Sequence, residues 1–168
     1  IMDWHFNQGY DASIKPAAWP IVKATSHIYE AVSAALLPTP SKSHYTFNLR
    51  DFARVIFGIT MVGSKELGKD KKKVMRLWVH EVLRVFSDRL VNDVDRLKLL
   101  EMAHVSADRH LSSATSGNFD ACLKCYDSNR DGKINTIEES RQIIYGDFMN
   151  PQAINKRYDE IPVDAENT

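Results

Sequence analysis

Neither sign of charge is in excess in this sequence. Lys and Arg number 22 and Asp and Glu number 22, so the formal net charge is +0 at pH 7. Without a basic excess there is no general field for nucleic acid or an anionic membrane, and neither partner is expected. Long apolar runs are missing too: no stretch reaches the ~20 residues that a membrane-spanning helix needs. No secretory signal opens the sequence, and Ile1 stands where a start methionine would. Trp4 and Phe6 follow at once, so the sequence reads as beginning inside a larger protein.

Cysteine is nearly absent, with Cys122 and Cys125 alone forming a C-x-x-C. A zinc site needs more ligands, and a redox motif expects a βαβ setting; neither is evident. Two buried thiols in a reducing compartment are expected instead. What remains is ordinary globular composition, 43% hydrophobic and 26% charged over 168 residues. That is enough chain for one core, or for one domain with an appendage.

Glycine and proline are sparse as well, and they punctuate helical patterns. Residues 1–8 read as the tail of an upstream element and 9–15 as a connection. Pro20 suits the first turn of a helix over 20–37, with Ile21, Ala24, Ile28, Ala31, Val32 and Ala35 on one face. Pro38 and Pro40 end it. Asn48 can cap the next helix, which runs from 49 to 58 or 62 and is striped by Phe52, Val55, Ile56 and Ile59. A polar loop at 63–70 precedes a long helix over 71–90 that turns Val74, Leu77, Trp78, Val82, Val85 and Phe86 inward. Another helix starts at Asn92 or Asp93 and carries Leu97, Leu100, Val105 and Leu111. Residues 112–117 read as a flexible break and 146–168 as largely irregular. The fold class is therefore all-α, a helical bundle with little strand.

Residues 127–138, Asp-Ser-Asn-Arg-Asp-Gly-Lys-Ile-Asn-Thr-Ile-Glu, match the calcium loop of an EF-hand. Oxygen side chains stand at positions 1, 3, 5 and 9 as Asp127, Asn129, Asp131 and Asn135, and Glu138 at position 12 can give both carboxylate oxygens. Position 7 needs only a backbone carbonyl, which Lys133 supplies, and Gly132 permits the sharp turn. Phe119, Leu123 and Tyr126 share one face of an entering helix, and Ile143 and Ile144 offer an apolar face to the exiting one. The bland alternative is a polar turn between two helices. Three carboxylates argue for sensor-like or weaker affinity, roughly 10⁻⁶ to 10⁻³ M. No second loop is present to pair through position 8. Glu139 takes position 13, where sensor hands often carry leucine, which argues against an exposed-groove switch.

Two other motifs fail at a chemically required place. Gly63-Ser-Lys-Glu-Leu-Gly68-Lys69-Asp70 nearly matches a phosphate-binding P-loop, but Asp70 would set a negative charge where a hydroxyl must meet magnesium. His80-Glu81-Val82-Leu83-Arg84 opens like a zinc-protease helix, but Arg84 replaces the second ligand and is expected to pair with acidic neighbours.

The stretch from Leu36 to Val55, with Thr46-Phe-Asn-Leu-Arg-Asp51 inside it, resembles axonemal dynein heavy chains. So do Arg76-Leu-Trp-Val-His-Glu-Val-Leu-Arg-Val-Phe-Ser-Asp-Arg-Leu90 and Tyr145-Gly-Asp-Phe-Met-Asn-Pro151. In this order the blocks resemble the end of the third AAA+ module of the motor ring. A calcium loop between the last helices resembles a subset of single-headed inner-arm dyneins. The resemblance implies the small helical lid subdomain of that module, with the nucleotide-binding segments upstream. It further implies neighbouring AAA+ subdomains as partners, microtubules as a partner of the parent motor, and the cytoplasm and ciliary or flagellar axoneme as location. ATP or ADP would be a ligand of the parent module only. Asn48-Leu49-Arg50-Asp51 is similar to the lid pattern in which an arginine senses nucleotide, so Arg50 is the candidate sensor, a guanidinium being suited to phosphate oxygens. The bland reading has Arg50 pairing with Asp51 or Asp3.

The expected organisation is a lid-like helical part over 1–111, a hand over 112–146, and a segment over 147–168 that continues the lid or links onward. The chain alone is not expected to be an enzyme, although the parent it resembles hydrolyses ATP. A free-standing calcium-binding adaptor is the alternative, and a nucleotide-binding enzyme using 63–70 is a distant second.

Overall fold

The computed structural model describes residues 1–148, 152 and 156–162. Met2–Phe6 forms α1, and a 3-10 turn at Lys15–Ala17 leads into α2, Ala18–Ala35. Pro20 lies in the first turn of α2, where its missing N–H leaves no bond unmade. Ile21, Ala24, Ile28 and Val32 are buried at the helical period, while Ala31 and Ala35 sit half-buried at the edge of that face. Helix α3, Leu49–Ile59, starts at a capping box: Asn48 accepts from Arg50 N–H, and the Asp51 side chain accepts from Asn48 N–H. The short α4 is Ser64–Leu67. Asp70 caps α5, Lys71–Phe86, by accepting from Lys72 N–H, and a 3-10 turn at Ser87–Arg89 extends it.

Asn92 caps α6, Asp93–His110. Helices α7, Ser112–Thr115, and α8, Phe119–Leu123, follow, and a 3-10 turn at Lys124–Tyr126 ends at the loop. The loop feeds α9, Ile137–Arg141, opened by a second capping box between Thr136 and Glu139. Two short strands close the described chain: β1, Tyr145–Gly146, pairs antiparallel with β2, Asp159–Glu160, placing Tyr145 opposite Glu160.

Helix α5 is the axle of the packing. It meets α3, α6, α7 and α8, and all six inward residues expected of it are buried, Trp78 completely. The Trp78 indole N–H donates to Thr25 Oγ1 at 3.0 Å, and Thr25 donates on to Ile21 O at 2.7 Å, so neither buried polar group is left unmet. Gly58 lets α3 close on α5, since a Cβ there would lie 1.9 Å from Glu81 Oε2. Glu81 is buried and held by Arg84 at 2.6 and 2.9 Å and by the Tyr158 hydroxyl at 2.6 Å. Arg84 thus makes the pair expected of it. One connected core runs from Met2 to Tyr145 and includes Phe119, Leu123, Tyr126 and Ile134 of the loop region.

Several expectations fail for identifiable reasons. Leu97 and Val105 of α6 are exposed, and its buried face is Leu99, Leu100, Ala103, Ser106 and Ala107. Small residues there let α2 lie close, a preference invisible to a count of large apolar side chains. Residues 112–117 form the turn of α7, fastened by Thr115 Oγ1 donating to Leu111 O at 2.9 Å. Ile143 is buried, but α9 ends before it and Ile144 is exposed. Cys122 is buried and Cys125 exposed, so the thiols do not form a buried pair. Among the described residues of the expected irregular segment, 159–160 return to pair with β1, a pairing the sequence did not mark. Met149, Asn150 and Pro151, which end the third resembling block, lie outside the described residues. No described helix is long and apolar enough to cross a membrane.

Candidate functional site

Two places carry the chemistry, both built on a capping box. At the first, Asn48 is extended and turns the chain into α3, so Arg50 falls in the first helical turn and points from an exposed position. Its side chain makes no hydrogen bond or ion pair among the described residues. Asp51, beside it, faces inward. The Asp51 carboxylate takes Arg89 Nη2 at 2.8 Å, Arg89 Nη1 at 3.1 Å, Asn48 N–H at 3.0 Å and Arg54 at 3.4 Å. Burial alone would raise this carboxyl; Arg89, the Asn48 amide and Arg54 together outweigh it and hold it below the usual carboxylate range. The surface pairs foreseen for Arg50, to Asp51 or Asp3, are therefore not made.

At the second, the loop backbone has the turn its sequence predicts. Gly132 adopts φ +82, and its N–H donates to Asp127 Oδ2 at 2.9 Å, drawing positions 6 and 1 together. Asn129 Oδ1 accepts from Asp131 N–H at 2.9 Å, and Asp131 Oδ1 from Lys133 N–H at 2.8 Å. Asn135 Nδ2 donates to Asp131 Oδ2 at 3.1 Å. Asp127 Oδ1 is buried with no hydrogen-bond partner. Glu138 is exposed in the first turn of α9. Positions 3, 5 and 9 are thus linked and position 1 is tied to position 6, while Glu138 is exposed on α9. No three His, Cys, Asp or Glu side chains among the described residues converge as a metal group.

Sequence reasoning missed how the loop is completed. The Ile134 N–H at position 8, which a second hand would normally engage, donates to Asp120 Oδ1 at 3.1 Å. Asp120 belongs to α8, ahead of the loop. Its other oxygen lies 3.6 Å from His104 Nε2, which also stands 3.2 Å from Asp108 and stacks on Phe119. Asp108 in turn accepts Phe119 N–H at 2.7 Å. A carboxylate fourteen residues before position 8 has no local signal to mark it.

The returning strand was also missed. Glu160 accepts from Arg76 at 2.6 and 3.1 Å and from Tyr126 Oη at 2.7 Å, and Lys73 reaches Asp159 at 2.6 Å. Burial and the Glu160 carboxylate push the Tyr126 phenol up, keeping it a donor. Tyr126 immediately precedes Asp127, so the strap and the loop share a hinge point. Residues 63–70 sit between α3 and α5 with no strand before them, so the P-loop setting is missing.

Capped helices around a central axle, with a charged residue displayed at a helix start, define a small all-helical subdomain. The family model described as dynein heavy chain, ATPase lid domain, matches residues 7–96, more than half of the chain. The chain belongs to the dynein heavy chain family and comprises its ATPase lid domain. It is 40% identical over 163 residues to dynein axonemal heavy chain 3 of Mus musculus, covering 96% of this chain and 4% of that one. Dynein axonemal heavy chain 12 of Homo sapiens is 41% identical over 144 residues, covering 84% and 4%. Dynein axonemal heavy chain 1 of Rattus norvegicus is 40% identical over 142 residues, covering 84% and 3%. The chain thus spans about 4% of the length of the first of these relatives. The lid match contains Arg50 and ends before the loop.

Proposed function

We propose that this chain is the nucleotide-sensing lid of the third AAA+ module in an axonemal dynein motor, with Arg50 as the sensor. The observation that carries the reading is the division of labour at α3. Asp51 is consumed by Arg89 and the capping box, and Arg50 is left exposed and unpaired in the first turn. A free guanidinium there brings a permanent charge and several donors to phosphate oxygens held by the preceding large subdomain. Lid position then follows nucleotide state as a hinge motion. The parent chain hydrolyses ATP and moves on microtubules in the axoneme, and its neighbouring AAA+ subdomains are the partners of this lid. Arg50→Ala in the full-length motor lowers ATP affinity at the third module roughly tenfold or more, the scale of lost hydrogen bonds to a charged group. Unchanged affinity and turnover there remove the reading.

The loop supports a second reading, a calcium site over 112–146 appended to a lid over 1–111, with 147–168 leading onward. Its support is the Gly132 turn, its bond to Asp127, and the buried Asp127 oxygen without a partner. Asp127, Asn129, Asp131, the Lys133 carbonyl, Asn135 and Glu138 would hold the ion, all as hard oxygen donors. Bound calcium would supply charge neutralisation and cross-linking of loop to α9, and Glu138 would have to turn inward to join. Calorimetry decides: heat on calcium addition that is lost in Glu138→Gln supports the site, and no heat in either protein sinks it. Nothing observed favours a free-standing adaptor.

A further inference from the structure

The geometry points to Arg89 as the positioning residue that keeps Arg50 available to nucleotide, an inference that rests on the sensor reading above. Arg89 lies in the 3-10 turn directly after α5, between buried Phe86 and Leu90, so its backbone is tied to the central helix. From there it spans to α3. Its two terminal nitrogens take both oxygens of Asp51, Nη1 also donates to Thr46 O at 2.7 Å, and the guanidinium lies 5.4 Å from the Phe47 ring centroid. One side chain therefore grips the residues before the cap and the acid within it.

Two effects follow from that grip. The first turn of α3 is tied to α5, a structural effect separate from the one proposed. The Asp51 charge is also matched by a bidentate partner on its inner side. Without Arg89, a buried carboxylate would be left short of donors, and the guanidiniums on its own helix are Arg54, at 3.4 Å, and its sequence neighbour Arg50. Capture of Arg50 by Asp51 would silence the sensor without touching it. Lysine cannot replace Arg89, because a point ammonium cannot hold both Asp51 oxygens and Thr46 O together.

The test uses the full-length motor and a fluorescent ATP analogue read at the third module. Arg89→Gln should lower affinity about as much as Arg50→Ala, roughly tenfold. The double variant should be no weaker than either single one, and Arg89→Lys should fall between. Asp51→Asn introduced into Arg89→Gln should recover most of the affinity, since a neutral cap no longer competes for Arg50. A purely structural clamp would show no such recovery, because the tie to α5 is still absent. Loss in Arg50→Ala with none in Arg89→Gln, additive losses, or failure of Asp51→Asn to rescue would each overturn the positioning role and leave the sensor standing. No loss in Arg50→Ala would overturn the sensor reading itself.

Discussion

The two capping boxes, Asn48–Asp51 at α3 and Thr136–Glu139 at α9, share one local geometry and end in opposite states. Asp51 has donors on both oxygens from three residues. Glu139 is equally buried, yet only Oε2 is used and Oε1 has no partner; nearby, Asp127 Oδ1 is in the same condition. The first box is finished by the chain itself and can hold a neighbour in place. The second leaves unmet acceptors in the region where a cation is proposed. An unmet buried acceptor carries a desolvation penalty that an arriving ligand can remove.

The comparison is most exposed to substitution at Asp51. Asp51→Ala removes a cap and leaves Arg89 partly buried without its partner, so stability should fall by about 3–5 kcal/mol. Glu139→Gln should change stability by less than about 1 kcal/mol, because the amide keeps the accepting oxygen used by the cap and removes a buried charge. Denaturant midpoints measure both; equal losses would erase the distinction.

A middle-sized effect is expected where the two regions meet. His80 Nδ1 on α5 donates to Ile143 O at 2.9 Å, and burial lowers its pKa below the ordinary imidazole value. Neutral His80 is the folded form, so the unfolded chain binds the extra proton first as pH falls. Stability is complete above the ordinary value of about 6.5 and declines as pH drops below it. His80→Gln should flatten that slope between pH 7 and 5, and an unchanged slope would place the effect at His5 or His110, whose values burial also lowers.

The smallest effect is at Asp120. Asp120→Ala frees the Ile134 N–H and should cost about 1 kcal/mol. With calcium at a hundred times its dissociation constant, the wild-type loop should gain about 2.7 kcal/mol. Asp120→Ala should retain most of that gain if the ion is held by the loop oxygens alone. Thermal unfolding with and without calcium reads both numbers.

Much of this was legible in order along the chain. Asn48, Asp70 and Asn92 mark helix starts because a short polar side chain satisfies orphan N–H groups locally. Gly132 marks its turn because few other residues hold φ +82 without strain. The stripe of α5 was readable because large apolar residues repeat every three to four positions. The buried face of α6 was not, since its choice of Ala103 and Ala107 over Leu97 and Val105 answers to the closeness of α2. Arg50 stood out through family resemblance, but Arg89 did not. A separation of 38 positions between Asp51 and Arg89 leaves no pattern of its own.

Local chemistry, then, was decided by sequence alone: the helix caps, the loop turn with its donor set, and the absence of any intact P-loop or zinc motif. These depend on residues within a few positions of one another. Tertiary structure alone decided that Asp51 is satisfied while Arg50 is left over among the described residues, that Asp120 accepts the Ile134 N–H of the loop, and that 159–160 fold back to clasp Arg76 and Tyr126. Each of those bonds joins groups far apart in the chain, or depends on which face the core hides. Donors and acceptors at such range are matched only once packing brings them together.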